Sequence, residues 1–347
     1  MPATRIGALL IEAQRSGYTA PMKRLCVVVL IAAFLRLPGA AAADVIIDHD
    51  GDADDLIAIS LLVRSPTVRI RAIAVCPGNS YLDAATRATQ LFLERLGARD
   101  IPIAQGHSEG TNPFPAQWRT DAGHILDIPA LASASTAQPS NPVVAVDAPH
   151  YLVKTLSGGQ VYTILETGPL TNIAGALRLD PSIRQHIARI YVMGGAVRTG
   201  GNVQQKGHDG SAEWNFFNQP QAAADVILSG IPITLVALDA TNRTPLTQAF
   251  LDRLGKQTAI ASQLAVQAWR PQVAQVGNDK YYFWDTLTAA ALLEPGVVRT
   301  ERLKIRVITK GASQGRTVED PRGTPVDVAL DAGRGRVENL FLTLLGK

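Results

Sequence analysis

The chain has 347 residues, of which 46% are apolar and 18% are charged, so it can bury a substantial hydrophobic core. Its formal net charge of +3 comes mainly from basic residues near the N-terminus, and the remainder of the chain is nearly neutral. This charge distribution argues against a broad basic surface, and hence against nucleic acid as a partner.

The first 43 residues have the pattern of an export signal. A basic start at residues 22–24 precedes an apolar run at residues 25–35, and the small residues at 38–43 suit cleavage before Asp44. The apolar run is shorter than the roughly 20 residues of a membrane span. We therefore expect residues 1–43 to be a signal region, with Met22 as an alternative true start. We also expect an exported protein, periplasmic or secreted, without a stable membrane span after cleavage; a short membrane anchor is the alternative.

From residue 44 onward, short apolar segments alternate with amphipathic ones. Five runs rich in Val and Ile predict buried strands at residues 44–48, 70–76, 161–166, 189–194 and 233–238. Segments with helical spacing occupy residues 53–64, 81–96, 147–156, 170–179, 218–229, 258–275 and 285–293. This order predicts an α/β fold with an open, mostly parallel, Rossmann-like sheet and helices on both faces.

The remaining segments predict loops and a small C-terminal extension of the same domain. Residues 107–145, rich in Pro, Ser and Ala, predict a long irregular excursion over the sheet edge, and residues 198–212 predict a polar, Gly-rich loop. Residues 300–340 predict a few short strands and a final helix. Since no repeat or linker interrupts the chain, we expect a single domain at 44–347. In such folds, ligands bind beyond the carboxyl ends of the strands.

Five aspartates are crowded into residues 48–55, between the first strand and the first helix. A helix N-terminus stabilises a nearby acid by only about 1 kcal/mol, too little to hold five carboxylates together. Like charges at this density raise one another's pKa unless a cation neutralises them. Carboxylate oxygens suit a hard ion such as Ca²⁺ or Mg²⁺. The loop therefore predicts a divalent cation site; a solvated cluster of helix-capping acids is the alternative.

Two families carry an apolar strand that ends in D-x-D. In haloacid-dehalogenase-like phosphatases, Asp48 would be the nucleophile, but Asp52 stands where that family carries Thr or Val. Nucleoside hydrolases carry the pattern DxDxxxDD. The acids that match all four positions of this second pattern are Asp48, Asp50, Asp54 and Asp55.

The rest of the chain resembles a nucleoside hydrolase, in particular the purine-preferring inosine–adenosine–guanosine branch. The resemblance implies calcium-dependent hydrolysis of the N-glycosidic bond of purine ribonucleosides to ribose and free base. It implies a nucleoside as the small-molecule partner and leaves a homodimer open. An exported nucleoside-binding protein without turnover is the alternative. The similar segments, in family order, are residues 48–55, 112–118, 166–174, 193–202, 210–215 and 281–290.

The resemblance also implies roles for individual residues. Calcium would be held by Asp50, Asp55, the main-chain carbonyl of Thr167 and Asp285. Asp50 would also be the general base that takes a proton from water as the ribose becomes an oxocarbenium-like ion. The substrate-binding residues would be Asp54 at a ribose hydroxyl, Asn202, Glu213 and Asn215 at the 5′-hydroxyl end, and Asn79, Met193, Trp118 and Trp284.

Three positions relate the chain to the branches of the family. Trp284 stands where many members carry a histidine and the purine branch has Trp, so a histidine general acid is absent there. Trp118 and Trp284 would instead stack on the purine, and its proton could come from water. Asn79 stands where the purine branch has Asp, which puts a role in base protonation in doubt. Asp52 stands where that branch has Asn, and its charge would tighten calcium binding or disturb the ribose contact.

Overall fold

The computed structural model describes residues 42–132, 140–277 and 280–347. Residues 1–41 of the predicted signal region lie outside the described residues. The export signal, the alternative start and the domain boundary at residue 43 therefore stay predictions.

Within these ranges, nine strands form one sheet. They are β1 (Ala43–His49), β2 (Val68–Val75), β3 (Ile103–Gln105), β4 (Tyr162–Glu166), β5 (Ile187–Met193), β6 (Ile233–Val236), β7 (Val298–Val307), β8 (Thr317–Glu319) and β9 (Thr324–Ala332). Their order is β3-β2-β1-β4-β5-β6-β9-β7-β8. All neighbours from β3 to β9 are parallel, whereas β7 pairs antiparallel with β9 and β8. The predicted mostly parallel sheet is confirmed.

Twelve α-helices lie within the described residues, and the seven for which the sequence predicted bounds begin and end within two residues of those bounds. They are α1 (Ala53–Arg64), α2 (Leu82–Arg95), α3 (Asp121–Leu126), α4 (Ala148–Leu156), α5 (Thr171–Leu179), α6 (Trp214–Asn218), α7 (Pro220–Leu228), α8 (Leu238–Thr241), α9 (Gln248–Leu254), α10 (Ile260–Val276), α11 (Asp285–Leu293) and α12 (Arg334–Leu345). The helix predicted at 218–229 corresponds to α7, and Pro220 at its start separates it from the short α6, which was not predicted.

Helices cover both faces of the sheet, as predicted. Side chains along β1 alternate between the faces: Val45 and Ile47 pack in the core with α1, α2, α10 and α11, whereas Ile46 packs in the core with α4, α5 and α7. Because β1, β2, β4 and β5 run parallel in the sheet, the loops that follow them meet at one edge. Among the described helices, none is both long and apolar enough to cross a membrane.

Candidate active site

A cavity of about 400 Å³ opens at the carboxyl edge of the sheet. It has the size of a small-molecule site. Most of the residues predicted from the sequence line it, although they come from distant parts of the chain. They are Asp50, Asn79, Trp118, Thr167, Met193, Asn202, Glu213, Asn215, Trp284 and Asp285.

The acidic loop is held in place by a capping box at the start of α1. Asp52 is the N-cap residue, and its Oδ1 accepts hydrogen bonds from the main-chain N–H groups of Asp54 and Asp55. In return, Asp55 Oδ2 accepts the N–H groups of Gly51 (2.8 Å) and Asp52 (3.0 Å). The other oxygen of Asp52, Oδ2, accepts the side-chain amide of Asn79 at 3.1 Å. The acidic loop is therefore ordered by its own hydrogen bonds and is not a set of solvated acids.

Asp54 does not reach the cavity, contrary to the prediction that it binds a ribose hydroxyl. Its side chain is fully buried. Asp54 Oδ2 accepts the main-chain N–H groups of Trp284 (2.8 Å), Asp285 (2.7 Å) and Thr286 (3.1 Å), and Oδ1 accepts the indole N–H of Trp269 at 3.2 Å. All of these donors belong to the protein. Asp54 thus caps α11 and fixes the segment that carries Trp284 and Asp285.

Three carboxylates are placed to hold a metal ion. One oxygen from each of Asp52, Asp55 and Asp285 lies within 4.8 Å of the others. Asp50 lies beside this group, because its carboxyl is hydrogen-bonded to that of Asp55. Thr167 contributes a hydroxyl that donates to Asp55 Oδ1 at 2.5 Å. Oxygen atoms from carboxylates and a main-chain carbonyl fit a hard divalent ion. Asp52, expected to be only a neighbour of the ion, belongs to the closest group.

The charges of this group oppose one another. Burial, followed by the negative charge of Asp55, raises the pKa of Asp50, Asp52 and Asp285 well above the usual range. Burial also raises the pKa of Asp55, but the imidazole of His49, whose Nδ1 lies 3.8 Å from Asp55 Oδ2, outweighs this effect and lowers it. One readily ionised carboxylate is therefore surrounded by three that ionise with difficulty. A bound cation would relieve this repulsion.

Asp50 lines the cavity and packs against the segment that follows β2. Its Oδ2 accepts the main-chain N–H of Asn79 at 2.8 Å. A Cβ atom at Gly78 would clash with the same oxygen, so only glycine permits this close approach. The carboxyl is thereby fixed beside the metal-binding group, in a position to accept a proton from a ligand or water in the cavity.

A second wall of the cavity carries polar side chains from the loops after β4 and β5. The amide of Asn215 donates to the main-chain oxygens of Thr167 (3.0 Å) and Met193 (3.4 Å). The oxygen Oδ1 of Asn202 accepts the N–H of Trp214 at 3.1 Å. These contacts tie the wall to the carbonyl of Thr167, which is itself a predicted metal ligand.

Glu213 is the most unusual residue of this wall. It caps α6, and its carboxyl accepts the N–H groups of Asn215 (2.9 Å), Phe216 (3.2 Å) and Gly195 (3.1 Å). Burial raises the pKa of Glu213 to about 7, although these main-chain donors oppose the shift. The carboxyl can therefore exist in either protonation state near neutral pH.

The two indoles predicted to sandwich a base both line the cavity. Trp118 is 40% exposed and packs edge-on against Trp214, with ring centroids 5.0 Å apart. Trp284 packs edge-on against Tyr281 at 4.7 Å. Among the described residues, no ring contact joins Trp118 to Trp284. The sandwich stays a prediction.

Several lining residues were not predicted. Helix α3 contributes Asp121 and His124, although it lies inside the excursion predicted to be irregular. The available signal was an acid and a histidine three residues apart. The other unpredicted lining residues are Phe114, Gln117, Thr120, Trp214, Gln272, Gln275, Val276 and Tyr281.

Fold and site together define an α/β enzyme whose acidic cavity suits a small polar ligand and a hard ion. The sequence model of the family described as inosine-uridine preferring nucleoside hydrolase matches residues 45–339, and the chain belongs to this family. Its members are hydrolases that act on N-glycosidic bonds, which confirms the predicted enzyme class and excludes the phosphatase alternative.

Relatives within the family differ in the base that their names specify. A pyrimidine-specific ribonucleoside hydrolase RihA from Salmonella schwarzengrund (strain CVM19633) is 32% identical over 290 residues, which cover 80% of this chain and 89% of the relative. The crystal structure of an inosine-uridine preferring nucleoside hydrolase from Bacillus anthracis is 35% identical, with a TM-score of 0.82 over 88% of this chain and 99% of the other. A purine-preferring ribonucleoside hydrolase from Gardnerella vaginalis is 26% identical, with a TM-score of 0.70 over 87% and 98%. The predicted family and fold are confirmed, whereas the predicted purine branch is only weakly indicated.

Proposed function

We propose that the protein hydrolyses the N-glycosidic bond of ribonucleosides to ribose and free base, with calcium as its cofactor and purines as its preferred bases. One observation supports the proposal above all. The acidic group, the polar wall and two indoles line a single cavity, so one ligand could meet an ion, a ribose-binding surface and a stacking surface together.

The acids would bind the ion and the ribose. Asp50, Asp52, Asp55, Asp285 and the carbonyl of Thr167 are the oxygen ligands available to calcium. When bound, calcium supplies positive charge that holds the ribose hydroxyls and favours ionisation of water. Asp50 accepts the proton of the attacking water, and the neighbouring carboxylates stabilise the positive charge that develops on the ribose.

The two remaining groups would orient the rest of the substrate. Asn202, Glu213 and Asn215 hold the 5′-hydroxyl end, and Trp118 and Trp284 stack on the base. A purine offers the larger face for stacking, which supports the purine preference. A pyrimidine preference is the second candidate, because the relative that is 32% identical is named as pyrimidine-specific.

The test measures base release by purified protein after chelation and after recharging with calcium. Inosine, guanosine, uridine and cytidine are compared, and free base is quantified by chromatography. We expect activity to return with calcium and kcat/KM to be higher for the two purines. Asp50→Asn should abolish turnover, whereas Asp83→Asn, at an exposed acid in the first turn of α2, should not.

Each other result has a definite meaning. Full activity in the chelated protein would refute the calcium requirement. Higher kcat/KM for uridine and cytidine would establish the second candidate. Tight nucleoside binding without any released base would favour a binding protein.

We also propose that residues 1–43 direct export and that residues 44–347 act as one domain in the periplasm or outside the cell. The sequence pattern alone supports this proposal. Cells that express the full chain should yield an exported protein whose N-terminus is Asp44. A cytoplasmic protein that retains the apolar run would refute it.

A further inference from the structure

Helix α3 presents an acid and an imidazole to the cavity. Asp121 and His124 are three residues apart, so they lie on the same face of the helix, and both line the cavity. The carboxyl of Asp121 interacts with the side chain of Gln272 of α10, a residue that is only 7% exposed. The imidazole of His124 remains exposed to solvent. Asp121 is therefore held by Gln272, whereas the imidazole of His124 is exposed to solvent.

The pair belongs to the end of the cavity that contains Trp284. Tyr281 links the two regions, because its ring packs against Trp284 at 4.7 Å and its hydroxyl lies within the electrostatic influence of Asp121. That hydroxyl is buried and, among the described residues, has no hydrogen-bond partner. This hydroxyl is available to donate to a polar ligand atom in the cavity that Tyr281 lines. In the proposed function, this ligand atom belongs to the base.

The leaving base requires a proton. A base that departs as an anion is a poor leaving group, and an acid in the right place contributes about 10²–10⁴-fold to the rate. Trp284 cannot supply that proton. Of the described residues that line the cavity, His124 is the one with an imidazole, the side chain that most often acts as a general acid.

We propose that His124 is the proton donor to the departing base and that Asp121 and Gln272 are positioning residues that hold it. This inference rests on the proposed function. As the bond from C1′ to the base nitrogen breaks, its electron pair moves to the base and the N–H proton of His124 passes to a base nitrogen or oxygen. The water oxygen bonds to C1′ while its proton passes to Asp50. His124 then regains a proton from solvent, and Asp50 releases to solvent the proton that it took from water.

The test compares substrates whose leaving groups differ in their need for a proton. Inosine needs one, whereas 4-nitrophenyl β-D-ribofuranoside releases a stable anion. His124→Gln should lower kcat/KM for inosine by about 100-fold and change that for the nitrophenyl riboside by less than about threefold. His150→Gln is a matched control, since His150 is an exposed histidine three residues after Asp147 on α4 and does not line the cavity. It should change neither value.

The positioning role has its own readout. Asp121→Asn should lower kcat for inosine with little change in KM, and Asp121→Glu should recover part of the loss. Equal losses of His124→Gln on both substrates, or no loss on inosine, would overturn the inference while leaving the proposed function intact. A wild-type protein that cleaves neither substrate would overturn both.

Discussion

The side-chain amide of Asn79 donates a hydrogen bond to Asp52 Oδ2 at 3.1 Å, and these are the two positions at which the chain departs from the purine branch. In that branch, the residue corresponding to Asp52 is Asn and the residue corresponding to Asn79 is Asp. Both this chain and the purine branch therefore have one amide and one carboxylate at these two positions, but the two groups are exchanged. The exchange moves a negative charge to the N-cap of α1, within the group formed with Asp55 and Asp285.

We predict that the reciprocal double variant is more active than either single variant. Asp52→Asn leaves two amides facing each other, and Asn79→Asp places two carboxylates together, so each single variant should lower kcat/KM by about tenfold or more. Because the effects of mutations at residues in contact are coupled, the double variant should recover to within about threefold of the wild-type value. A double-mutant cycle on kcat/KM and on calcium affinity measures the coupling. Additive losses would show that the hydrogen bond is incidental.

Removing the carboxylate of Asp54 should destabilise the whole protein. Asp54→Ala leaves the buried N–H groups at the start of α11 without an acceptor, and each such group costs about 1–3 kcal/mol. We expect the free energy of unfolding in urea to fall by about 3–5 kcal/mol and calcium binding to weaken with it. Asp83→Asn, at an exposed acid on α2, is the control. A loss below about 1 kcal/mol would contradict the capping role.

Glu213 should make stability depend on pH. Burial raises its pKa from 4.5 to about 7 in the folded state, so folding favours the protonated form. Its stabilising contribution is full below the unfolded-state pKa and is lost as the pH rises to about 7. The difference in unfolding free energy between wild type and Glu213→Gln should therefore fall by about 2–3 kcal/mol between about pH 5 and about pH 8. A difference that stays constant with pH would show that the carboxyl ionises normally.

The two indoles should matter more for purines than for pyrimidines. Aromatic stacking is worth about 0.5–1.5 kcal/mol beyond area burial, so Trp284→Ala should lower kcat/KM about threefold to tenfold more for inosine than for uridine. Trp118→Ala should act in the same direction, and Trp118→Phe should retain most of the activity. Steady-state kinetics on both substrates decide the point. Equal losses on inosine and uridine would argue against the sandwich.

The sequence predicted the elements whose signals are local and strong. Helices α1 and α11 begin and end at the predicted residues, since an acid opens each helix and an apolar pattern continues through it. Strand β3 and helix α9 were missed because three and seven residues carry too little periodicity. Helix α6 was missed because its five residues also carry too little periodicity.

The site was predictable where strand order alone brings residues together. Asp50, Thr167 and Met193 follow or end parallel strands, so they had to meet at one edge. Adjacent helical residues point about 100° apart, so the spacing could not show that Asp54 turns towards α11 while Asp55 turns towards the other acids. His124 was missed because its place depends on how a long excursion folds back over the cavity.

The contact of Asp54 with Trp284 and Asp285 has a practical consequence. One carboxylate grips the peptide groups of both residues, so an ion that shifts Asp285 must also shift the neighbouring indole. The chain should therefore report its own metal occupancy through tryptophan emission, without any attached dye. Titrating calcium into the apo-protein should change the fluorescence spectrum, and replacing Trp284 by phenylalanine should silence that response.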